Sequence, residues 1–315
     1  MIEPGNKAHA HGQGFVRRTG LVRRLAEARE ATLAVIVAPP GYGKSSLLSE
    51  WAEYDERPFL WLAHADARGR GAPDALLRAI RSLTKQRDFV LVLDDAHDIA
   101  AAVLRDLTAV VMSELPEGSM LVLASRTEPP LPLGRLRGLR GLVEVRVEDL
   151  AMIPTEASIL LRQAGLELDS AAVQTLVRRT EGWPVGLYLA ALSLRERADL
   201  PTAVSGLRGD DHRLAEYFRD EVLSLMPPDL KEFAIRTSVL DELSGPLCDA
   251  VLERDGSALT LARLEHCNAL LRPLDAPHDR YRWHCLFRDA LRAELRRAEP
   301  KLAQSLHRRA SSWYD

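Results

Sequence analysis

The stretch Ala38-Pro39-Pro40-Gly41-Tyr42-Gly43-Lys44-Ser45 decides how this chain is interpreted, because it directly follows the apolar run Leu33 to Val37. Its spacing is typical of a loop whose glycines let backbone N–H groups wrap around phosphate oxygens. In such a loop the lysine reaches the β and γ phosphates and the hydroxyl binds Mg²⁺, so these roles fall to Lys44 and Ser45. The helix expected over Ser45 to Tyr54 would add its positive N-terminal dipole.

This Walker A pattern departs from its strict form at one position. Ala38 replaces the first glycine, and because alanine is small and keeps its backbone N–H, we expect the substitution to be harmless. An octet of this kind arises by chance in roughly two of a hundred chains of this length. The assignment therefore depends on its context, which is a preceding strand and a following helix.

A second acidic element fits the same chemistry. Phe89-Val90-Leu91-Val92-Leu93 is fully apolar and predicts a strand buried on both faces, with Asp94 and Asp95 at its carboxyl end. Ligands of open α/β sheets bind at that edge. We assign Asp94 to Mg²⁺ and Asp95 to the residue that orients or deprotonates an attacking water. The alternative is a strand that ends in an aspartate helix cap.

Composition is compatible with a globular cytoplasmic protein. The 315 residues are 46% hydrophobic and carry a formal net charge of −3, which gives no reason to expect a polyanionic partner. The three cysteines lie far apart and match no metal or redox spacing, so we expect reduced thiols. No stretch of about 18 apolar residues predicts a membrane span, and residues 1–14 are expected to be a flexible tail.

Five short apolar runs alternate with helical patterns as far as Leu150. This alternation predicts an α/β fold, a P-loop parallel sheet with helices on both faces, over residues 15–150. The five expected strands are Leu33 to Ala38, Phe59 to Leu62, Phe89 to Leu93, Met120 to Ala124 and Leu142 to Val147.

The pattern beyond residue 151 is helical and predicts a helical subdomain over 151–207. Its expected helices are Glu156 to Gln163, capped by Thr155, Ser170 to Glu181, capped by Asp169, and Val185 to Arg197. Residues 208–298 predict a winged helix, because helices lead to a hairpin of Leu270 to Leu274 and Arg280 to Trp283 and then to an amphipathic helix, Leu286 to Arg297. Residues 299–315 would begin a further helical segment.

Charge argues against DNA binding by this winged helix. Between Arg208 and Asp315 there are 17 Lys and Arg against 19 Asp and Glu. A duplex-reading module should carry a basic face. We therefore expect the winged helix to be a scaffold.

Seven segments, in the same order, resemble the STAND-class P-loop ATPases related to the bacterial maltose-regulon activator and the large LuxR-type transcriptional regulators. The likeness runs from about Phe15 to Tyr314. The segments are Arg18 to Leu25, Pro39 to Ser46, Leu91 to His97, Ala124 to Pro130, Arg179 to Leu187, Arg236 to Cys248 and Tyr281 to Phe287.

The resemblance implies an ATP/ADP switch that closes over ADP and opens when ATP replaces it. Arg126 would be the sensor of the terminal phosphate, Pro184 would lie against the adenine, and His284 would reach the β phosphate in the closed form. Val16 and Arg18 would border the base. The loop contacts would come from Pro40, Gly41, Tyr42, Gly43, Lys44, Ser45 and Ser46.

Each residue outside the loop has a simpler interpretation. Arg126 could be a solvated arginine at a strand end, Pro184 could only start a helix, and His284 could be a structural histidine. Trp51, Trp61 and Trp183 are most simply core residues. The sequence gives no role for His97.

Two departures from the family bear on partners. Only fifty residues separate Lys44 from Asp94, so the segment Ala63 to Arg87 is shorter than in the regulators that the chain resembles. We expect this length to hold one strand and one crossover helix, without the partner surface that the family normally builds there. The family usually continues into a helical-repeat sensor and a DNA-binding helix-turn-helix, so we expect either an excised switch module or a protein without these arms. The implied partners are an adenine nucleotide, an inducer or protein partner, and further copies of the chain through ATP-dependent self-association.

The resemblance thus implies an ATP/ADP-binding signal-transduction switch module of a bacterial transcriptional regulator, with Mg²⁺ as a further cofactor and with slow ATP hydrolysis that resets the active state. The competing class is a catalytic P-loop ATPase or small-molecule kinase with fast turnover. A kinase would need a second substrate pocket and an oligomeric motor would need an arginine finger, and the sequence identifies neither.

Overall fold

The computed structural model describes residues 2–4, 15–62, 88–138, 141–195, 197–267 and 270–314. These residues belong to two compact units, Met1–Leu150 and Ala151–Asp315.

A six-stranded sheet forms the centre of the first unit. Its strands are β1 (Ile2–Pro4), β2 (Leu33–Val37), β3 (Phe59–Leu62), β4 (Val90–Leu93), β5 (Met120–Ser125) and β6 (Leu142–Val145), in the spatial order β1-β3-β4-β5-β2-β6. All neighbours from β3 to β6 are parallel, and only β1 is antiparallel to its neighbour. The five apolar runs are therefore strands, and the predicted α/β fold is confirmed.

The central strands are apolar throughout because both faces of the sheet are covered. Every residue of β2 and β4 is buried, as expected for parallel strands between helices. Strand β5 lies between β2 and β4, pairing Ser125 with Val37 and Leu123 with Leu93. This register brings the residues after all three strands to the same edge of the sheet.

Helices of the first unit follow the strands. They are Thr19–Glu27, Lys44–Tyr54, Ala101–Glu114, Leu133–Gly138 and Val147–Leu150, with a short 3₁₀ helix over Ala96–Asp98. The helix after the phosphate loop begins one residue earlier than predicted and buries Leu47, Leu48 and Trp51. The crossover helix expected within Ala63 to Arg87 falls outside the described residues.

The amino-terminal segment corrects one prediction. Ile2–Pro4 pairs antiparallel with β3, with Glu3 opposite Trp61, and extends the sheet at its edge. The expectation of a flexible tail is therefore wrong for these three residues. Backbone pairing with an edge strand needs no apolar pattern, so the sequence does not reveal this strand. Residues 5–14 lie outside the described part of the chain.

The second unit is mainly helical. Its helices are Pro154–Gln163, Ser170–Thr180, Pro184–Leu194, Leu200–Gly206, His212–Phe218, Pro228–Thr237, Gly245–Leu252, Ser257–His266, Cys285–Ala298 and Pro300–Tyr314, with a π-helical turn over Arg219–Leu223.

One of the two helix N-caps predicted in this unit is confirmed. Asp169 caps its helix as expected, accepting a hydrogen bond from Ala172 N at 2.8 Å. Thr155 is not a cap: Pro154 opens that helix, and the Glu156 carboxylate accepts from the N–H of Ile153 at 3.1 Å. Proline is favoured at this first position because its missing N–H would have no partner there.

A small antiparallel sheet completes the second unit. Strands β7 (Leu243–Ser244), β8 (Leu271–Pro273) and β9 (Arg280–Trp283) lie in the order β7-β9-β8. The predicted hairpin is confirmed, while the two-residue β7 was not expected. The helix Cys285–Ala298 buries the predicted apolar face, namely Leu286, Phe287, Ala290, Leu291 and Leu295.

The division at Leu150 coincides with the expected end of the nucleotide-binding domain. The further boundaries at 207 and 298 stay predictions, since Ala151–Asp315 forms one compact unit. Among the described helices, none combines the length and apolarity that a bilayer crossing requires.

Candidate nucleotide site

The loop between β2 and its helix has the backbone of a phosphate cradle. Gly41 and Gly43 both have left-handed backbones, with φ of 79° and 80°. Open space surrounds the position where Gly43 would carry a Cβ, so its requirement for glycine comes from backbone conformation alone. The Lys44 ammonium donates to the carbonyls of Ala38 at 2.7 Å and Pro39 at 3.2 Å. The lysine therefore lies folded over its own loop.

Lys44 is 7% exposed. Burial, together with the nearby positive charge of Arg126, lowers the pKa of Lys44 to about 8, although Asp94 and Asp95 act in the opposite direction. A polyphosphate beside this ammonium would replace lost hydration with negative charge. Lys44 is thus a largely buried amino group whose described hydrogen-bond partners are two carbonyls of its own loop.

Ser45 and Asp94 are in contact. The Ser45 hydroxyl donates to Asp94 Oδ2 at 2.7 Å, and the other carboxylate oxygen accepts from Asp95 N at 3.0 Å. Two oxygen ligands side by side suit Mg²⁺, which takes one or two protein oxygens and completes its shell with phosphates and water. The described residues contain no group of three or more His, Cys, Asp or Glu that could hold a metal ion.

Asp95 has an unusual backbone. Its φ of 51° and ψ of 42° place a residue other than glycine in the left-handed region. Such positions cost about 1–3 kcal/mol and persist where the surroundings enforce them. The 3₁₀ helix Ala96–Asp98 follows at once, and Asp95 is its N-cap residue, although its side chain makes no capping hydrogen bond. The carboxylate is 44% exposed and can reach a ligand.

His97, for which the sequence predicts no role, connects two strand ends. Its Nδ1 accepts a hydrogen bond from Arg126 N at 3.4 Å and lies 3.9 Å from Asp95 Oδ1. Its Nε2 lies 3.8 Å from Asp98 Oδ1. Burial lowers the pKa of His97, although both carboxylates oppose the shift. Only the strand order that places β5 beside β4 brings these groups together.

Arg126 follows β5 in a loop that ion pairs stabilise. The neighbouring Glu128 pairs with Arg146, which also pairs with Glu144. Hydrogen bonds from Arg137 and Arg146 hold the pKa of Glu144 at about 2. Arg126 is close enough to influence the pKa of both Lys44 and His97. The structure therefore brings Lys44, Ser45, Asp94, Asp95 and Arg126 to one edge of the first unit.

Arg18 and Val16 occupy structural positions. The Arg18 guanidinium donates to the carbonyls of Asp149 and Leu150, both at 2.7 Å, and its backbone N–H donates to Glu50 Oε2 at 2.7 Å. Val16 is 7% exposed. These contacts fix the segment before the first helix, and contact with a base stays a prediction for both residues.

The remaining loop residues differ in exposure. Tyr42 is 1% exposed, so its side chain packs in the interior and only its backbone is suited to phosphate binding. Pro40 is half-buried and Ser46 is exposed.

In the second unit, Pro184 opens the helix Pro184–Leu194. The preceding Gly182 has φ of 70°, and a Cβ there would lie 2.7 Å from the carbonyl oxygen of Met152. Trp183 is fully buried and stacks on Phe218 with ring centroids 5.2 Å apart. Pro184 therefore starts its helix, as the simpler interpretation held, and its contact with adenine stays a prediction.

His284 lies buried where the helix Cys285–Ala298 begins. Its Nε2 is 2.9 Å from the carbonyl oxygen of Thr180, so Nε2 carries the proton. Within the residues that the structure describes, Nδ1 has no hydrogen-bond partner. Burial lowers the pKa of His284, which favours the neutral ring. The predicted phosphate contact stays untested.

Glu181 organises the surroundings of His284. Its carboxylate accepts from the Arg282 guanidinium at 2.6 Å and from Cys285 N at 3.1 Å, and Arg272 lies 3.4 Å away. Burial alone would raise its pKa, but the His284 and Arg282 partners keep the pKa of Glu181 below its usual value. The sequence placed Glu181 inside a motif without giving it a role.

Comparison with known proteins agrees with the second unit's architecture. Residues 219–303 match the MalT winged helix domain family. The HTH-type transcriptional regulator MalT of Vibrio parahaemolyticus is 25% identical over 348 positions, covering 99% of this chain and 38% of that protein. MalT of Klebsiella pneumoniae is 28% identical, covering 95% and 37%.

The serine/threonine-protein kinase PknK of Mycobacterium tuberculosis is also 28% identical over 340 positions, covering 95% of this chain and 30% of that protein. The chain thus spans about a third of the length of these relatives. Among solved structures, a Walker-type ATPase of Pyrococcus abyssi matches with a TM-score of 0.58 at 15% identity, covering 92% of this chain and 98% of that one. This likeness shows that the chain has the fold of a Walker-type ATPase, and the family match over residues 219–303 shows the winged helix.

Proposed function

We propose that this chain, a relative of the MalT-type transcriptional regulators, is an ATP/ADP-binding switch module in which slow hydrolysis resets the active state. One observation carries the proposal. The Lys44 ammonium, the Ser45 hydroxyl and the Asp94 carboxylate lie at one sheet edge, with Ser45 and Asp94 in contact at 2.7 Å. This is the set of groups that a polyphosphate with Mg²⁺ requires.

The contact between the Ser45 hydroxyl and the Asp94 carboxylate supports a Mg²⁺ site, because both groups offer oxygen ligands. Ser45 and Asp94 would hold the ion, and when bound it would neutralise negative charge on the β and γ phosphates. The protein supplies the rest of the binding. Backbone N–H groups curled around Gly41 and Gly43 donate to phosphate oxygens, and the Lys44 ammonium exchanges its two carbonyl partners for phosphate.

Two side chains at this edge would distinguish ATP from ADP. Arg126 follows β5, the strand between the loop strand and the acidic strand, and would contact the terminal phosphate. Asp95 would orient the attacking water. A nucleotide can shift a conformational equilibrium only by as much as it binds the two states differently. The γ phosphate provides that difference, since ADP lacks it.

Pro184 and His284 would also take part in nucleotide binding. His284 Nε2 is already engaged with the Thr180 carbonyl, so a phosphate oxygen would have to use Nδ1. Because Nδ1 of the neutral ring is an acceptor, such a contact requires His284 to take up a proton. Val16 and Arg18 would border the base.

The wider role follows the relatives. MalT is named a transcriptional regulator, and we propose a regulatory role in the cytoplasm for this chain, with an inducer or protein partner and ATP-dependent self-association. DNA contact would belong to a helix-turn-helix outside these residues. The name of PknK states that PknK is a kinase. This chain covers 30% of PknK, and we do not propose kinase activity for it.

Turnover separates the switch from a working enzyme. Purified protein is mixed with excess ATP and Mg²⁺, and phosphate release is followed together with the dissociation of labelled ADP. For a switch we expect ATP hydrolysis slower than about one turnover per minute, which is below the usual range for enzymes. We also expect ADP to dissociate no faster than ATP is hydrolysed. Fast multiple turnover would instead establish a catalytic ATPase.

His284→Ala tests whether this histidine takes part in nucleotide binding. The variant should release ADP faster than the parent, and it should weaken ADP retention more than it alters folding. An unchanged release rate would remove His284 from the nucleotide site.

A further inference from the structure

We propose that His97 is a positioning residue that holds the sensor arginine, Arg126, in register with Asp95. The proposal rests on the function proposed above, because it assigns a task within the same nucleotide site.

The placement of His97 follows from the strand order. The 3₁₀ helix Ala96–Asp98 follows β4, and Arg126 follows the neighbouring parallel strand β5. Parallel neighbours end at the same edge, so the turn after one strand reaches the backbone after the other. His97 spans this gap, with its Nδ1 3.4 Å from Arg126 N.

The hydrogen bond fixes the chemical form of the ring. A backbone N–H can only donate, so Nδ1 must be the acceptor and the single proton of the neutral ring is on Nε2. That nitrogen points toward Asp98, 3.8 Å away. The same Nδ1 lies 3.9 Å from Asp95 Oδ1. One atom therefore lies between the backbone of the proposed sensor and the carboxylate proposed to orient water.

Protonation would change the partner of this atom. A protonated Nδ1 cannot accept the Arg126 N–H and would turn its own N–H to Asp95. The charged groups that face the ring are Asp95 and Asp98 from its own turn, Arg126 from the end of β5, and Lys44 from the phosphate loop. The neutral ring is the form that joins the two strand ends.

The test compares His97→Ala and His97→Asn with the parent by titrating each with ADP and with ATP and Mg²⁺ at pH 8. Alanine removes the acceptor, so affinity for ATP should fall about two- to tenfold relative to affinity for ADP, the range for one lost hydrogen bond. Asparagine offers its Oδ1 as an acceptor near the position of Nδ1, and should return the ratio to within about twofold of the parent. His307→Asn, at an exposed position of the last helix, is the matched control and should change nothing.

A pH series adds a readout that packing alone would not move. Between pH 8 and 5.5 the preference for ATP should decline more steeply in the parent than in His97→Asn, because only the parent has an imidazole to protonate. Titration of the phosphates themselves affects both proteins equally and cancels in the comparison.

The outcomes are distinct. If His97→Ala keeps the parent's ratio of affinities, or if His97→Asn is impaired as much as His97→Ala, the positioning role is wrong while the nucleotide switch stands. If the parent itself binds neither nucleotide, the proposed function falls and the role of His97 falls with it.

Discussion

Replacing Lys44 with methionine should abolish nucleotide binding without unfolding the protein. Methionine keeps the length of the side chain and removes the charge. In the folded chain the ammonium is 7% exposed and its pKa is lowered from 10.5 to about 8. That difference corresponds to a penalty on the buried cation of about 3 kcal/mol.

The substitution removes this penalty but leaves two carbonyls, Ala38 and Pro39, without their lysine partner. Each lost hydrogen bond costs about 1 kcal/mol. The free energy of unfolding of Lys44→Met at pH 7 should therefore lie within about 2 kcal/mol of the parent value. Breaking a buried charge pair, in contrast, typically costs about 3–5 kcal/mol.

The pH dependence gives the sign. The folded-state pKa of Lys44 lies below its unfolded value, so between about pH 8 and 10 the unfolded chain binds more protons. The parent's free energy of unfolding should gain a contribution that rises with pH in this window, and Lys44→Met should lack it. Urea unfolding followed by circular dichroism at pH 7, 8 and 9.5 measures this difference.

Binding should respond far more strongly than stability. Two charge-assisted contacts to phosphate, at about 1.5–3 kcal/mol each, predict at least about a hundredfold loss of ADP affinity by calorimetry. Parent-like affinity in Lys44→Met, or a loss of unfolding free energy above about 4 kcal/mol, would refute this reasoning.

Three other substitutions test separate parts of the account. Asp95→Asn should slow single-turnover ATP hydrolysis about a hundredfold while ATP affinity stays near the parent value, and unaltered hydrolysis would remove Asp95 from the water-orienting role. Gly43→Ala should lower the free energy of unfolding by about 1–2 kcal/mol because the φ of Gly43 is 80°. The control Gly20→Ala, inside the helix Thr19–Glu27, should raise the free energy of unfolding by up to about 1 kcal/mol. Equal effects of the two substitutions would contradict the backbone argument. Glu181→Gln should lower the free energy of unfolding at pH 7 by about 1–3 kcal/mol. Because the folded-state pKa of Glu181 is depressed, this difference between parent and variant should vanish as the pH falls through that pKa. A variant that is still less stable than the parent at pH 3 would contradict a stabilising role of the Glu181 charge.

Local pattern was enough to predict most of the fold. Runs such as Leu33 to Val37 are apolar because both faces of a parallel sheet are covered, and this requirement is written in the sequence itself. The hairpin of β8 and β9 was equally legible, since a polar turn separates two short apolar-containing strands. The family match over residues 219–303 agrees with the winged helix inferred from it.

The misses concern contacts that local pattern does not encode. Strand β1 forms through backbone pairing with β3, and the two-residue β7 is too short to leave a pattern. The helix that begins at Pro154 follows the preference of proline for the first helical position, as does the helix that begins at Pro184.

Side-chain partners across the sheet were also missed. His97 meets the Arg126 backbone 29 residues away, and Arg18 donates to carbonyls 131 and 132 residues away. Residues this far apart in the sequence can be recognised as neighbours only when the order of the strands is known. The chemistry of the Lys44 loop could be assigned from sequence because its groups are adjacent in the chain, whereas that of His97 could not.

Calorimetric titration of the folded, nucleotide-free protein with ADP and with ATP and Mg²⁺ tests the central claim most directly. The account predicts saturable heat with both nucleotides at one site per chain, and none with Lys44→Met. Absence of heat with both nucleotides, on protein whose circular dichroism shows it to be folded, would contradict the account.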